Sequence, residues 1–282
     1  MAAHISSAEG SAAAPPAVRQ IGIGDVVDAL RCGIDDFSVR PSHYVFICLI
    51  YPVAGAALVI WTVGGNATQL IYPMLTGFAL VGPIAAIPLY EISRQREAGL
   101  DPSWPEAFAV VKAPSWSSIL AVGLWLTAVF IVWLVTAQAL YAWLYATNEP
   151  ATHGAFLADV VTTGRGWTLI ILGNAIGFVF AVVVLSTTVV AFPLLVDRHV
   201  GASEAIRTSM RAVQANPVPM LAWGLIVAAL VFLAMLPALV GLAVVLPVLG
   251  HATWHVYRKV VEAPPPTERR AQPPRDAGPP AR

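Results

Sequence analysis

Residues 113–148 read APSWSSILAVGLWLTAVFIVWLVTAQALYAWLYATN and contain no Asp, Glu, Lys, Arg or His. A helix crosses the hydrocarbon core of a bilayer with about 20 apolar residues, so this stretch can hold a membrane span. Three further stretches without those residues cover 44–90, 166–196 and 212–250. Of the 282 residues, 57% are apolar and 11% are charged, against about a quarter charged in a soluble domain. We therefore predict an all-α integral membrane protein.

The lengths of the four stretches predict about six spans. The turn-forming sequence Gly-Gly-Asn-Ala-Thr at residues 64–68 separates two spans in the first stretch, and Pro237 and Gly241 mark a turn in the last. The last stretch leaves two arrangements open, either two spans or a bent re-entrant segment. Residues 1–20 and 262–282 are predicted to be disordered tails around a membrane domain of residues 21–261. The predicted spans cover about residues 43–63, 69–90, 117–145, 167–194, 218–236 and 239–257.

The basic residues predict the orientation, because the cytoplasmic flanks of membrane spans are rich in Lys and Arg. With six spans, Arg165 alone of the 16 basic residues falls on one side of the membrane. Both termini are therefore predicted to be cytoplasmic. The 16 basic and 16 acidic residues balance, so net charge gives no reason to expect a nucleic-acid partner.

The predicted cytoplasmic segments carry a weak internal repeat. An acidic residue, an alanine and a large apolar residue occur together at Asp28, Glu106 and Glu204, and a proline opens the next span each time. This pattern predicts three parallel units, each an amphipathic cytoplasmic helix followed by a transmembrane hairpin. The first helix has apolar residues at helical spacing. They are Ile23, Val26, Val27, Leu30, Ile34 and Phe37.

Amphipathic helices of this kind suit the headgroup layer, where an apolar face enters the bilayer and arginine meets phosphate. The predicted contacts to anionic lipid or to a protein partner are Arg31, Arg207, Arg211 and Arg258. The alternative is that the three segments are polar loops with ordinary periodicity. No ionisable residue is expected near the centre of a span, and Gln138 and Asn174 are expected to form hydrogen bonds between helices.

The most specific local feature is HATWHVYR at residues 251–258. His251 and His255 are four residues apart and share one helix face, where they could bind a metal ion or haem. His43 opens the first predicted span on the same side and could complete a cluster of three. In the alternative, the histidines belong to an interfacial anchor with Trp254 and Tyr257 and hydrogen-bond neighbouring helix ends. In the outer loop, Glu149, His153 and Asp159 lack regular metal-ligand spacing and indicate a solvated loop.

The chain resembles a bacterial family of predicted integral membrane proteins, defined by domain of unknown function 2189. The resemblance runs over about residues 21–261. It rests on residues in the first and third cytoplasmic segments, in and just after the second predicted span and in the closing histidine motif, among them Asp25, Gly33, Asp36, Pro41, Gly82, Pro83, Pro88, Glu91, Ala205, Ser209, Asn216, Pro217, His251 and His255. Some family members are labelled putative cytochrome c oxidase subunit one.

The leading hypothesis is a non-enzymatic protein of the bacterial inner membrane with a structural or accessory role. Its cytoplasmic face would engage anionic lipid or a protein partner. One alternative, which the family label implies, is a haem- or metal-associated respiratory accessory protein that uses His251, His255 and His43. Another is a channel or transporter for an uncharged or lipid-like substrate, because such a substrate requires no buried ionisable group.

Overall fold

The computed structural model describes residues 15–39, 49–64, 67–80, 82–101, 107–147, 150, 152–237 and 239–263. Within these ranges the chain is helical and contains no named strand. The α-helices are α1 (Ile23–Val39), α2 (Ile50–Gly64), α3 (Ile71–Leu80), α4 (Gly82–Ala85), α5 (Ile87–Glu97), α6 (Trp116–Tyr145), α7 (His153–Thr162), α8 (Gly164–Thr188), α9 (Ala191–Asp197), α10 (Ala202–Ala215), α11 (Pro217–Met235) and α12 (Leu242–Val260).

Three helical segments of the described chain are long and apolar enough to cross a membrane. They are Trp116–Tyr145, Gly164–Asp197 and Pro217–Met235, and Pro52–Gly64 is a shorter apolar helix. In α6, the exposed Trp125 and Trp143 lie 18 positions apart, or about 27 Å at 1.5 Å per residue. This matches the roughly 30 Å thickness of the hydrocarbon core, and tryptophan prefers its two boundaries. The protein is an all-helical integral membrane protein.

Prolines divide the second predicted span, residues 69–90, into three helices. Pro83 and Pro88 are the second residues of α4 and α5, where a proline needs no amide partner inside the helix. α5 is polar in sequence, yet most of its residues are buried by the surrounding helices. The polar residues Glu91, Ser93 and Gln95 of this helix therefore lie inside the protein.

α1 and α10 use their small side chains to pack. α1 buries Val26, Ala29, Gly33 and Asp36 and lies along α12. α10 buries Ala205, Thr208, Ser209 and Ala212 and packs on α8 and α9. In the second predicted unit, residues 102–106 lie outside the described ranges, and the 3-10 helix Ala109–Lys112 precedes α6.

The two ends of the described chain pair with each other. Val18 and Val261 form an antiparallel bridge, and the Arg19 amide donates to the Val260 carbonyl at 2.7 Å. Asn216, between α10 and α11, accepts from the Ile21 amide at 2.7 Å and donates to the Arg19 carbonyl at 3.0 Å. The segment before α1 is thus held against both α12 and the start of α11.

Candidate functional site

His251 and His255 lie one turn apart in α12, which packs against α1 and α5. The His251 side chain is fully buried, and His255 is partly exposed. Their imidazoles reach the Asp36 carboxylate of α1 either directly or through Ser93 of α5. Three helices therefore meet at one polar site, the Asp36 cluster, which consists of Asp36, Ser93, Arg96, His251 and His255.

The Asp36 carboxylate accepts hydrogen bonds on both oxygens. Its Oδ2 accepts from the Ser93 hydroxyl at 2.5 Å and from His255 Nε2 at 2.9 Å. Its Oδ1 accepts from Arg96 Nη1 at 2.6 Å. His251 Nδ1 lies 2.8 Å from the Ser93 hydroxyl oxygen. Because Ser93 donates its one proton to the carboxylate, it accepts from His251, so His251 carries a proton on Nδ1.

Hydrogen bonding keeps Asp36 ionised despite its burial. Burial raises the pKa of its carboxyl, but the hydrogen bonds from His255 and Ser93 lower it, and the net pKa lies below the ordinary value. The carboxylate also forms an ion pair with Arg96. Asp36 is therefore negatively charged near neutral pH, and the site combines one carboxylate, one guanidinium and two imidazoles.

Glycines bring the three helices close enough for these bonds. A Cβ atom on Gly33 would lie 2.6 Å from the Ala252 backbone nitrogen, so α1 and α12 are in backbone contact there. A Cβ atom on Gly250 would lie 2.7 Å from Cδ1 of Leu89 in α5. Asp36 follows Gly33 by three residues on the same helix face, and His251 follows Gly250 directly. The two close contacts thus position both sides of the cluster.

A second set of polar contacts lies nearer the C-terminal end of α12. Arg258 pairs with Glu97, at the end of α5, at 2.8 Å and with Asp197, at the end of α9, at 3.6 Å. Trp254 Nε1 donates to Glu97 at 3.1 Å, and the Tyr257 hydroxyl donates to Asp197 at 2.5 Å. These contacts between charged and polar side chains join the ends of α5, α9 and α12.

Residues 71–197 match the family model of predicted integral membrane proteins DUF2189. This DUF2189 segment runs from α3 to α9, and the resemblance seen in the sequence is confirmed over it. It contains Ser93 and Arg96, whereas Asp36 and both histidines of the cluster lie outside it. No curated protein and no solved structure matches the chain significantly.

The predicted histidine site is described in part. His43 lies outside the described residues. Within the described ranges, no group of three or more His, Cys, Asp or Glu side chains is arranged to hold a metal ion. His251 and His255 instead direct ring nitrogens to Ser93 and Asp36. The partners of the two histidines therefore lie on α5 and α1.

The four arginines predicted to contact lipid or a partner differ in their surroundings. The Arg31 side chain is 73% exposed and pairs with Asp28 at 3.3 Å. Arg207 is exposed on α10. Arg211 binds Glu204 at 2.7 Å, and Arg258 joins α5 to α9. Arg31 and Arg207 are therefore the two best placed to meet a group outside the chain.

Sequence reasoning did not single out Asp36, Ser93 or Arg96 as site residues. Asp36 carried a usable signal, because it shares a helix face with Ala29 and Gly33. Small residues mark a face that packs closely, and an acidic residue on such a face needs a buried partner. Ser93 and Arg96 carried no comparable signal, since their roles depend on α1 and α12.

The connection between α6 and α8 contains the helix α7, where the sequence indicated a solvated loop. The Thr152 hydroxyl accepts from the Ala155 amide at 3.1 Å and caps α7. Arg165 Nη2 binds Asp159 at 2.7 Å, and the Tyr145 hydroxyl donates to the same carboxylate at 2.8 Å. The hydrogen bond from Arg165 is the main cause that lowers the pKa of Asp159 to about 2. Glu149 lies outside the described residues.

Proposed function

We propose that this protein is a non-enzymatic, structural or accessory component of the bacterial inner membrane. In this proposal three hairpins supply about six membrane segments, both termini are cytoplasmic, and α1 and α10 lie at the cytoplasmic headgroup layer. There they contact anionic lipid. One observation carries the proposal, namely the order of three distinct faces around each of these two helices.

α1 has a packed face, an exposed apolar face and a charged face. The packed face contains Ala29 and Gly33. Ile23, Val27 and Ile34 are exposed and lie about a third of the way around the helix axis from the packed face. The remaining third of the helix circumference carries the exposed charged residues Asp28, Arg31 and Asp35. A helix with these faces can pack on protein, lipid and water at the same time, as a headgroup-level position requires.

α10 has the same faces in the same order. Its packed face is Ala205, Thr208, Ser209 and Ala212. The next face carries Met210, which is exposed, with Ile206 and Val213, which are partly exposed. The charged face carries Arg207 and Arg211. The shared order supports the internal repeat, and α10 carries the more basic of the two charged faces.

The pairing of the two ends of the described chain supports the proposal that both termini lie on the same side of the membrane. Val18 and Val261 form an antiparallel bridge, and two residues cannot do so across a bilayer, which supports an even number of crossings. The excess of Lys and Arg on that side favours the cytoplasm.

Spin labels on single cysteines test the headgroup position. In a background with Cys32→Ser and Cys48→Ser, Ile34→Cys places a label on the apolar face of α1 and Asp28→Cys places one on its charged face. In liposomes containing phosphatidylglycerol, we expect the first label to collide mainly with oxygen and the second mainly with a water-soluble nickel complex. Equal access of nickel to both labels would overturn the proposed position.

Lipid identity is tested separately by native mass spectrometry of the purified protein. We expect Arg31→Ala combined with Arg207→Ala to lower the amount of retained phosphatidylglycerol, and Lys112→Ala to serve as a single-site comparison. If the double variant retains as much phosphatidylglycerol as the wild type, the proposed contact with anionic lipid is wrong. The charged faces of α1 and α10 would then be assigned to a protein partner.

A further inference from the structure

We propose that two copies of this chain associate in the membrane through α6. The contact surface is a stripe along the exposed side of the helix, named here the α6 seam. It consists of Leu124, Ala128, Ile131, Val135, Gln138 and Ala142. Because all copies cross the membrane in the same direction, the two α6 helices are parallel, whichever side is cytoplasmic.

The α6 seam lies opposite the face of the helix that packs inside the protein. The packed face buries Val122, Leu126, Val129 and Trp133. All six residues of the seam are exposed. They follow one another at alternating spacings of four and three residues, the repeat that keeps one stripe in contact when two helices wrap around each other with a left-handed twist. The seam therefore has the geometry that a parallel helix pair requires.

Gln138 places a polar side chain on the exposed side of this apolar helix. It lies five positions from Trp143 and 13 positions from Trp125, or about 8 Å and about 20 Å along the helix. These two exposed tryptophans are about one hydrocarbon thickness apart, so Gln138 lies between the two boundaries of the hydrocarbon layer. A carboxamide that faces lipid tails lacks the hydrogen bonds that water would supply. Gln138 therefore favours a polar partner that stays within the membrane.

The bonds inside the chain leave part of the Gln138 carboxamide unused. Its Oε1 accepts from Gln69 Nε2 at 3.3 Å. Among the described residues, no acceptor binds its Nε2, which carries two protons. In α8, by contrast, the exposed Asn174 uses both ends of its amide, because Oδ1 accepts from the Tyr72 hydroxyl at 2.7 Å and Nδ2 donates to the Ile170 carbonyl at 2.8 Å. Gln138 thus retains a donor for a group outside the chain.

A second copy of the chain supplies the partner that Gln138 needs. A carboxamide has both a donor and an acceptor, so two copies of Gln138 can exchange a pair of hydrogen bonds. A two-fold axis along the membrane normal relates the copies without changing depth, so each seam residue meets its own counterpart. The single polar layer then fixes the register, because a shift along the helix would set each amide against apolar side chains.

Small residues in the α6 seam let the two helices approach closely. Ala128 and Ala142 alternate with larger apolar side chains along the stripe. Close approach matters in lipid, where helices associate through van der Waals contact and hydrogen bonds. The exposed side of α11 also carries alanines, at Ala228 and Ala229, but its exposed residues include no polar side chain. The combination of small residues with an amide therefore distinguishes the seam from that lipid-facing surface.

Cysteine cross-linking tests the contact. In the cysteine-free background of Cys32→Ser and Cys48→Ser, Ala128→Cys or Ala142→Cys is introduced, and the full chain in liposomes is oxidised with copper phenanthroline. Ala175→Cys is the matched control, because Ala175 is an exposed alanine on the neighbouring helix α8. We expect disulfide-linked dimers to form at least about tenfold faster in both seam variants than in the control, since a disulfide requires Cα atoms within about 7 Å. Equal rates in all three variants would overturn the interface.

Energy transfer between labelled copies tests the role of Gln138. Full chains of the same background carry a donor or an acceptor dye at Gln214→Cys and are mixed in liposomes over a series of protein-to-lipid ratios. We expect Gln138→Leu to raise the dissociation constant of the dimer by about 5- to 30-fold, the size of a side-chain hydrogen bond between membrane helices. Gln69→Leu removes the bond inside the chain and leaves Gln138 in place, so it should leave the constant unchanged.

Two results of the energy-transfer experiment would contradict the proposal. One is a wild-type protein that shows no transfer at any protein-to-lipid ratio, which would make the chain a monomer in the membrane. The other is the same dissociation constant for Gln138→Leu and the wild type, which would remove the amide from the interface. If Gln138→Leu does not fold, the cross-linking rates of the seam variants decide without it.

Discussion

The carboxylate of Asp36 accepts a hydrogen bond from His255 at 2.9 Å, although 219 positions separate the two residues. The same carboxylate binds Ser93 and Arg96, so it joins the first described helix to both α5 and α12. A cluster that connects distant parts of the chain through one acidic group gives that group a large share of the local stability.

Replacing Asp36 by Asn is expected to destabilise the protein by about 2 to 3 kcal/mol, because it removes the ion pair to Arg96 and the charge that both imidazoles face. Unfolding by sodium dodecyl sulfate in mixed micelles measures the change. Asp35→Asn is the control, since Asp35 is exposed and its variant should stay within about 0.5 kcal/mol of the wild type. Equal losses in both variants would contradict the role of the cluster.

Gly33→Ala is expected to cost about 1 to 3 kcal/mol, because the added methyl group meets the Ala252 backbone and α1 must move away from α12. The same unfolding assay measures it. Gly24→Ala in the same helix meets no atom within 4 Å and should be neutral or slightly stabilising. If the Gly24 variant loses as much stability as the Gly33 variant, the loss comes from a change within α1 and not from its contact with α12.

The Asp159 and Arg165 pair predicts a loss of stability in acid. The pKa of Asp159 falls from 3.8 to about 2 in the folded protein. Stabilisation by its ionised form is therefore complete above the ordinary value and is lost as the pH falls from about 4 to 2. Melting temperatures measured across this range should decline more steeply for the wild type than for Asp159→Asn. Parallel curves for the two proteins would refute the assignment.

Asn216→Ala is expected to release the segment before α1, because the side chain holds the Ile21 amide and the Arg19 carbonyl from a buried position. Hydrogen–deuterium exchange should become faster at residues 17–22, and stability should fall by about 1 to 3 kcal/mol. Gln214→Ala, two residues earlier and exposed, is the control. Unchanged exchange at Ile21 in the Asn216 variant would contradict this role.

The sequence predicted the long membrane helices well where one charge-free stretch contains one span. The span expected at about residues 117–145 is the observed helix Trp116–Tyr145. Prediction was weaker where proline and glycine interrupt a stretch. The second expected span is three helices, and the fourth ends in the separate helix Ala191–Asp197. A break of this kind costs little when neighbouring helices cover the freed backbone groups, and such cover is a tertiary property.

The amphipathic pattern of α1 predicted a helix, and a helix is present, but the pattern did not show which residues pack. Its small residues face α12, whereas Ile23, Val27 and Ile34 remain exposed. In a soluble protein the large apolar residues would be buried first. In the proposed headgroup position a second apolar medium is available to them, so the packed face can be chosen by close backbone approach.

The sequence by itself determined the membrane class and the positions of the long apolar helices, because these follow from local hydropathy and from the fixed rise of a helix. Only the tertiary structure decided that Asp36, Ser93 and His255 meet, and that Leu239 packs against Gly55. The physical reason is that a side chain's partner is chosen by helices that approach from distant parts of the chain. Hydropathy is a property of each segment alone, whereas hydrogen bonds and packing contacts between helices belong to the assembled bundle.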